Sequence, residues 1–165
     1  MAEATSKTLV AYFSASGVTR ALATRMADAI GADVFEIAPA QPYTAADLDW
    51  TNENSRSTVE MKNPASRPAI AGMPDNLAGY DTVLIGFPIW WYTAPTIVKT
   101  FLEAGDFSGK RIALFATSNN TMVMGRTQSD LEPCAPRAIW VGDGGRRFSA
   151  DAGADELAAW VNGLA

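Results

Sequence analysis

Five short apolar runs, separated by amphipathic stretches, form the pattern of this chain. The first run, Thr8 to Phe13, is flanked by polar residues and is typical of a strand buried on both faces. Apolar residues then recur every four positions up to Gly31, which predicts a helix with a glycine C-cap. Asp33 to Ile37 follows as a second strand. Because such crossovers are nearly always right-handed between parallel strands, this part predicts a β-α-β unit.

The same alternation continues to the end of the chain. Thr82 to Phe87 is the strongest buried-strand pattern and is expected at the centre of the sheet. Two further strands are predicted at Ile112–Thr117 and Ala138–Val141. Three further helices are predicted: one that begins at Ala94-Pro95 and ends at Gly105, one at Thr127–Leu131 and one at Asp151–Leu164. Five strands alternating with four or five helices predict one three-layer α/β domain over residues 1–165, built on a five-stranded parallel sheet.

The pattern does not decide the structure between Pro39 and Tyr80. Prolines mark loops at both ends of this stretch. Its middle carries two possible helix starts, Thr44-x-x-Asp47 and Ser57-x-x-Glu60, so we expect one helix or two short ones there.

Composition narrows the class of protein. At 48% hydrophobic and 19% charged residues, the chain is of globular type, and no apolar run approaches the ~20 residues of a membrane span. Glu3 stands where a signal peptide would need positive charge, so we expect a cytoplasmic protein with no membrane partner. The net charge of −5 argues against a nucleic-acid partner. The acidic stretch from Asp33 to Glu60 either steers a basic partner or is a solvated face.

The chemistry of the side chains is also restricted. The chain has no His and a single Cys, Cys134, which excludes a Ser-His-Asp triad, a Cys-His pair and a thiolate or imidazole zinc site. We therefore predict no catalytic side chain and no metal site, and any redox or transfer chemistry needs an imported group.

The turn after the first strand is the first candidate for binding such a group. It brings the hydroxyls of Ser14, Ser16 and Thr19 to the start of a helix, where unpaired backbone N–H groups favour an anion. Gly17 lets the backbone come close. The pattern suits a phosphate monoester held without Lys, although an ordinary helix N-cap would use the same residue types.

Ligands of open parallel sheets bind outside the carboxyl ends of the strands, where the strand order reverses. The loops after the third and fourth predicted strands, Pro88 to Thr93 and Thr117 to Thr121, meet this condition. Three consecutive aromatic residues, Trp90-Trp91-Tyr92, are unusual in a loop and could sandwich a flat ring, while at least one is expected to pack on the adjacent helix. Flavin mononucleotide (FMN) combines the two features that these loops could bind, a phosphate monoester and a flat redox-active ring.

The sequence resembles the flavodoxin-like family of small bacterial FMN-binding proteins. The resemblance is carried by Ser14-Ala15-Ser16-Gly17-Val18-Thr19 and by Gly86-Phe87-Pro88-Ile89-Trp90-Trp91-Tyr92-Thr93-Ala94-Pro95. It implies the strand order 2-1-3-4-5 and FMN as the cofactor. It also implies cofactor contacts from Ser14, Ser16, Gly17, Val18 and Thr19, from Pro88, Ile89, Trp90 and Trp91, and from Thr117, Ser118, Asn119 and Asn120.

Two positions depart from the family pattern. Val18 stands where the family usually has Asn, and Asn119-Asn120-Thr121-Met122 replaces a run that is usually rich in glycine. Asn tolerates the left-handed conformation, so the loop can keep its path, but its bulk and amides would alter the contact with the flavin.

Three functions are compatible with these residues. The first is electron transfer through bound FMN to a redox partner protein. The second is an FMN-dependent oxidoreductase passing hydride from NAD(P)H to a quinone-like substrate, with Arg126, Arg146 and Arg147 as possible phosphate contacts. The third is a binding module with weakened or lost flavin binding. A P-loop nucleotidase is excluded, because Gly109-Lys110-Arg111 lacks the Ser or Thr and precedes a strand. A dinucleotide-binding fold is excluded, because no G-x-G-x-x-G motif follows the first strand.

Overall fold

The computed structural model describes residues 7–117 and 126–164, which form a parallel sheet between two helical layers. The sheet order β2-β1-β3-β4-β5 confirms the predicted α/β fold class and strand order. The strands are β1 (Thr8–Tyr12), β2 (Asp33–Glu36), β3 (Thr82–Pro88), β4 (Arg111–Thr117), β5 (Ile139–Trp140) and β6 (Arg146–Phe148). The helices are α1 (Val18–Ile30), α2 (Arg56–Lys62), α3 (Ile97–Ala104), α4 (Thr127–Leu131) and α5 (Ala154–Asn162), with 3-10 turns at Leu77–Gly79 and Glu132–Cys134.

Each face of the sheet has its own core. One core packs β1, β3 and β4 against α3 and α4, through side chains such as Phe101 and Leu131. The other packs the opposite faces of these strands against α1 and α5, through Met26 and Leu157. Because β3 is covered on both faces and paired on both edges, its residues from Thr82 to Phe87 are all buried. The continuous apolar runs of the sequence reflect this double burial.

The edge of the sheet beside β4 differs from the prediction. The strand predicted at residues 138–141 is present as β5, which pairs with the beginning of β4. A further short strand, β6, which the sequence pattern does not predict, pairs with the end of β4. Between β5 and β6, Gly142, Asp143, Gly144 and Gly145 all have positive φ angles. Such a run breaks the regular ladder, and an interrupted edge is a poor template for pairing with another chain.

The segment between β2 and β3 contains one α-helix, and its start differs from both predicted starts. Ser55 caps α2, accepting a hydrogen bond from the Thr58 N–H. Thr44 and Asp47 do exchange the reciprocal hydrogen bonds of a capping box, at 2.9 and 3.1 Å, but only turns follow them. Ser57 lies buried within α2. A capping box is therefore formed here without an α-helix.

The other predicted helices are confirmed with small shifts at their ends. Gly31 ends α1 in the left-handed conformation with φ 68°, as the sequence predicts. Helix α4 has the predicted bounds, whereas α5 begins at Ala154 and α3 begins at Ile97 after Thr96. Among the described residues, no helix is long and apolar enough to cross a membrane.

Replacing Gly86 by Ala will destabilise the fold. A Cβ built on Gly86 would lie 2.2 Å from the Phe115 ring, and Phe115 is fully buried and has little room to move. Overpacking of this kind costs about 1–3 kcal/mol. Urea unfolding should show that loss for Gly86→Ala and almost none for Gly72→Ala, whose Cβ would meet open space. Equal stability of the two variants would contradict the packing described here.

Candidate cofactor site

Three loops leave adjacent strands at one edge of the sheet. Strand register places Tyr12 opposite Gly86 and Pro88 opposite Thr117. Pairing continues beyond β3, since the Ile89 N–H donates to the Thr117 carbonyl at 3.1 Å. β2, the next strand in the chain, pairs with one side of β1, whereas β3 pairs with the opposite side of β1. The point between β1 and β3 is therefore where the strand order reverses, and this is where ligands of such sheets bind.

The loop after β1 has an open backbone. Gly17 adopts φ 94°, and no heavy atom lies within 4 Å of where a Cβ would be. Its N–H donates to the Ser14 hydroxyl at 3.0 Å, which closes the loop. Ser16 and Gly17 are exposed, and Val18 is half-buried. Ser14 thus shapes the loop, and Ser16 is an exposed hydroxyl residue within it.

The N-terminus of α1 has backbone hydrogen-bond donors without an acceptor in the helix. The first bond of the helix runs from the Ala21 N–H to the Gly17 carbonyl at 3.1 Å, so the N–H groups of Val18, Thr19 and Arg20 have no acceptor within it. Among the described residues no side chain caps this end, and the first turn holds no acidic residue. An anion placed here would meet these donors and the positive end of the helix dipole.

Thr19 and Thr117 join the start of α1 to the end of β4. Their hydroxyls lie 2.8 Å apart, and both residues are almost fully buried. Thr19 is on α1, and Thr117 is the last residue of β4, so the bond ties the first turn of this helix to the end of β4. Because each hydroxyl both donates and accepts, either can bind another group besides its partner.

The loop after β3 forms a tight turn from Trp90 to Thr93. Two backbone bonds of 2.9 and 3.0 Å join these two residues reciprocally. Trp91 and Tyr92 between them have φ angles of 49° and 67°. This geometry is that of a type I′ turn, in which Asn and Gly are preferred. A left-handed residue with a side chain costs roughly 1–2 kcal/mol, so the two aromatic residues hold these positions at an energetic cost.

Trp90 itself packs inward. Its ring lies edge-to-face with Phe13 and Tyr43, with centroid distances of 5.5 and 5.7 Å, and Phe13 and Tyr43 are 5.6 Å apart. The sequence predicts packing of at least one aromatic residue of this loop on the adjacent helix. The ring contacts of Trp90 are instead with Phe13 and Tyr43, from the segments after β1 and β2. Trp91 is half-buried and Tyr92 is exposed.

Tyr43 is held by charged side chains from α2. Its hydroxyl donates to Glu60, and the Arg56 guanidinium lies 3.8 Å from its ring centroid. Arg56 also pairs with Glu60 at 2.9 Å. Burial, and then the hydrogen bond to Glu60, raises the pKa of the Tyr43 phenol above its ordinary value, so the ring is neutral at pH 7. The α2 segment thus supports the aromatic cluster of Phe13, Tyr43 and Trp90.

A comparison with protein families matches residues 7–164 to a family model described as flavodoxin. The chain belongs to the flavodoxin family.

Solved structures resemble this flavodoxin over almost its whole length. A candidate flavoprotein from Bacteroides eggerthii is 43% identical, with a TM-score of 0.86 and coverage of 95% of this chain and 96% of that one. One from Bacteroides uniformis is 44% identical, with a TM-score of 0.87 and coverage of 95% and 98%. A Lactobacillus acidophilus flavoprotein solved in complex with FMN is 23% identical, with a TM-score of 0.69 and coverage of 94% and 99%, and it supports the fold. No curated protein matches the chain.

The described residues of this flavodoxin bring most of the predicted cofactor contacts to one edge. Pro88 ends β3 half-buried, and Ile89 is buried behind the turn. Ser118, Asn119 and Asn120 lie outside the described residues. The cofactor contacts of all the predicted residues stay predictions. Sequence reasoning missed Phe13 and Tyr43 as part of the site. Tyr43 lies in the proline-rich stretch without periodicity, where only its aromatic type could have drawn notice.

The Arg residues considered as phosphate contacts in this flavodoxin differ in their partners. Arg126 pairs with Asp130 at 3.1 Å, and Arg146 pairs with Glu156 at 2.8 Å. Arg147 is half-buried and has no ion pair among residues 7–117 and 126–164. Of the three, Arg147 is therefore the one whose charge is available.

The Thr19–Thr117 hydrogen bond should be measurable as a non-additive effect of two substitutions on the free energy of unfolding. Thr19→Val or Thr117→Val leaves one buried hydroxyl unpartnered and should cost about 1–3 kcal/mol of unfolding free energy in the cofactor-free protein. The double variant removes both hydroxyls and should lose less than the sum of the single losses. Urea unfolding of the four proteins checks this, and strictly additive losses would show that the two hydroxyls do not interact.

Proposed function

We propose that this chain binds FMN and transfers electrons through it to a protein partner. The observation that carries the proposal is the uncapped N-terminus of α1, with its open loop, on the same edge of the sheet as the aromatic turn. The loop offers donors for a phosphate, and the turn offers rings for a flat heterocycle.

The phosphate of FMN fits the loop after β1. Three backbone N–H groups of the first turn, from Val18, Thr19 and Arg20, are free of intrahelical acceptors. The exposed Ser16 hydroxyl adds a further donor, and the space beside Gly17 lets the phosphate approach the backbone. Hydrogen bonds to a charged acceptor are about twice as strong as neutral ones, which compensates for the absence of a Lys.

The flavin ring fits the turn after β3. Trp90 is committed to the cluster with Phe13 and Tyr43, whereas Trp91 has no ring contact with another aromatic residue of the described chain. We therefore assign the stacking role to Trp91. Tyr92, 65% exposed, is placed to shield the edge of the ring from water. When bound, FMN supplies one- and two-electron redox chemistry, and the chain binds and orients it.

An acidic surface supports a basic protein as the partner. The segment that follows Tyr43 carries Asp47, Asp49 and Glu53, and none of these forms an ion pair within the described residues. Uncompensated charge of one sign steers a partner of the opposite sign during encounter. We also propose a cytoplasmic location, with which the free thiol of Cys134 is consistent.

Arg147 favours the second candidate, an FMN-dependent NAD(P)H:quinone-type oxidoreductase. Its register partner in β4 is Ala116, next to Thr117 at the edge where the loops meet. A half-buried guanidinium without an acidic partner suits a nucleotide phosphate.

Titration with FMN and with riboflavin tests the binding site. The protein should quench FMN fluorescence and bind FMN more tightly than riboflavin, which lacks the phosphate. Ser16→Ala should weaken FMN binding roughly 10- to 100-fold, the value of one hydrogen bond to a charged group, and leave riboflavin binding unchanged. Ser66→Ala serves as the control, because its neighbour Arg67 pairs with Glu103 near the far end of α3. Equal affinity for FMN and riboflavin would show that the loop after β1 does not bind the phosphate.

A steady-state assay separates the carrier from the enzyme. The FMN-bound protein is mixed with NAD(P)H and a soluble quinone. A carrier should show almost no turnover under these conditions. Oxidation of NAD(P)H at ~1–1000 per second would overturn the carrier proposal. If that activity is present, Arg147→Met should raise KM for NAD(P)H and leave FMN affinity unchanged.

A further inference from the structure

The hydroxyl of Thr93 links the aromatic turn to helix α4. Thr93 is 7% exposed, and its Oγ1 donates to Asp130 Oδ2 at 2.6 Å. This length is typical of a hydroxyl bound to an ionised carboxylate. Sequence reasoning assigned no role to Asp130, which lies 37 residues away along the chain.

Asp130 is firmly placed to accept this bond. The next residue, Leu131, is fully buried in the core that contains α3, so α4 is anchored to the domain. The Asp130 N–H donates to the Arg126 carbonyl at 2.9 Å, and the Arg126 guanidinium lies 3.1 Å from the carboxylate. Arg126 is 67% exposed, so it orients the carboxylate more than it stabilises it.

The turn requires such support. Trp91 and Tyr92 both adopt the left-handed conformation, which side chains disfavour. On one side the turn is held by the Trp90 ring against Phe13 and Tyr43. The Thr93–Asp130 bond holds it from the other end, and a turn held at both ends has a defined position.

We propose that Thr93 and Asp130 are positioning residues of the FMN site. Their hydrogen bond fixes the Trp90–Thr93 turn against α4 and thereby sets where Trp91 meets the flavin ring. Neither residue needs to touch the cofactor. The inference rests on the proposed FMN binding and adds to it the residues that preorganise the ring contact.

Three variants at two threonines test the proposal. Thr93→Val keeps the shape but removes the hydroxyl, and it should weaken FMN binding at least tenfold and lessen fluorescence quenching at saturating FMN. Thr93→Ser restores the hydroxyl and should bind within threefold of wild type. Thr96→Val is the matched control, because Thr96 is 4% exposed and its hydroxyl has no partner among the described residues. It should bind FMN as wild type does.

The readouts separate positioning from general stability. Thermal unfolding of the cofactor-free variants reports stability, whereas quenching at saturation reports how the ring meets its aromatic neighbour. Wild-type affinity and quenching in Thr93→Val would overturn the proposal and leave FMN binding intact. Equal losses in Thr93→Val and Thr96→Val would also overturn it, since packing alone would then explain them. Failure of the wild-type protein to bind FMN would overturn the proposed function first.

Discussion

The register of β3 between β1 and β4 is the constraint on which the site depends. Parallel pairing places Tyr12 opposite Gly86 and Pro88 opposite Thr117, so the three loops begin at one edge. A slip of one residue in the pairing would move every side chain of β3 to the opposite face of the sheet and would separate the loops. Gly86 protects this register on one face, because only a residue without a Cβ leaves room for the Phe115 ring.

The fold could be predicted because most elements have complete local patterns. The α1 helix combines a four-residue apolar repeat with Gly31 at its end, and β3 is an uninterrupted apolar run. The edge beyond β4 could not be predicted as well. Residues 138–148 contain only short apolar groups separated by Gly142 and its neighbours, and their pairing is decided by the length of β4. Likewise, the start of α2 depends on which hydroxyl reaches a backbone N–H, and the sequence offers several.

The site was predictable where residues act through their own neighbours. Ser14, Ser16 and Gly17 lie in one turn, so their proximity follows from the chain itself. Contacts between distant segments were not predictable. Thr19 meets Thr117 across 98 positions, and Tyr43 reaches Trp90 from a stretch without periodicity. A single sequence carries no information on such pairs beyond the residue types, which is why the aromatic cluster emerges only from the structure.

The two sides of the site differ in how they are stabilised. The loop after β1 uses a helix terminus and a glycine, which adopt their conformations at little cost. The turn after β3 places Trp91 and Tyr92 where Asn and Gly would be favoured. Edge-to-face pairs of Trp90 with Phe13 and Tyr43, each contributing about 0.5–1.5 kcal/mol, offset part of that cost. Folding alone would favour smaller residues here, so the retained backbone strain agrees with the proposed role of this turn in holding the flavin ring.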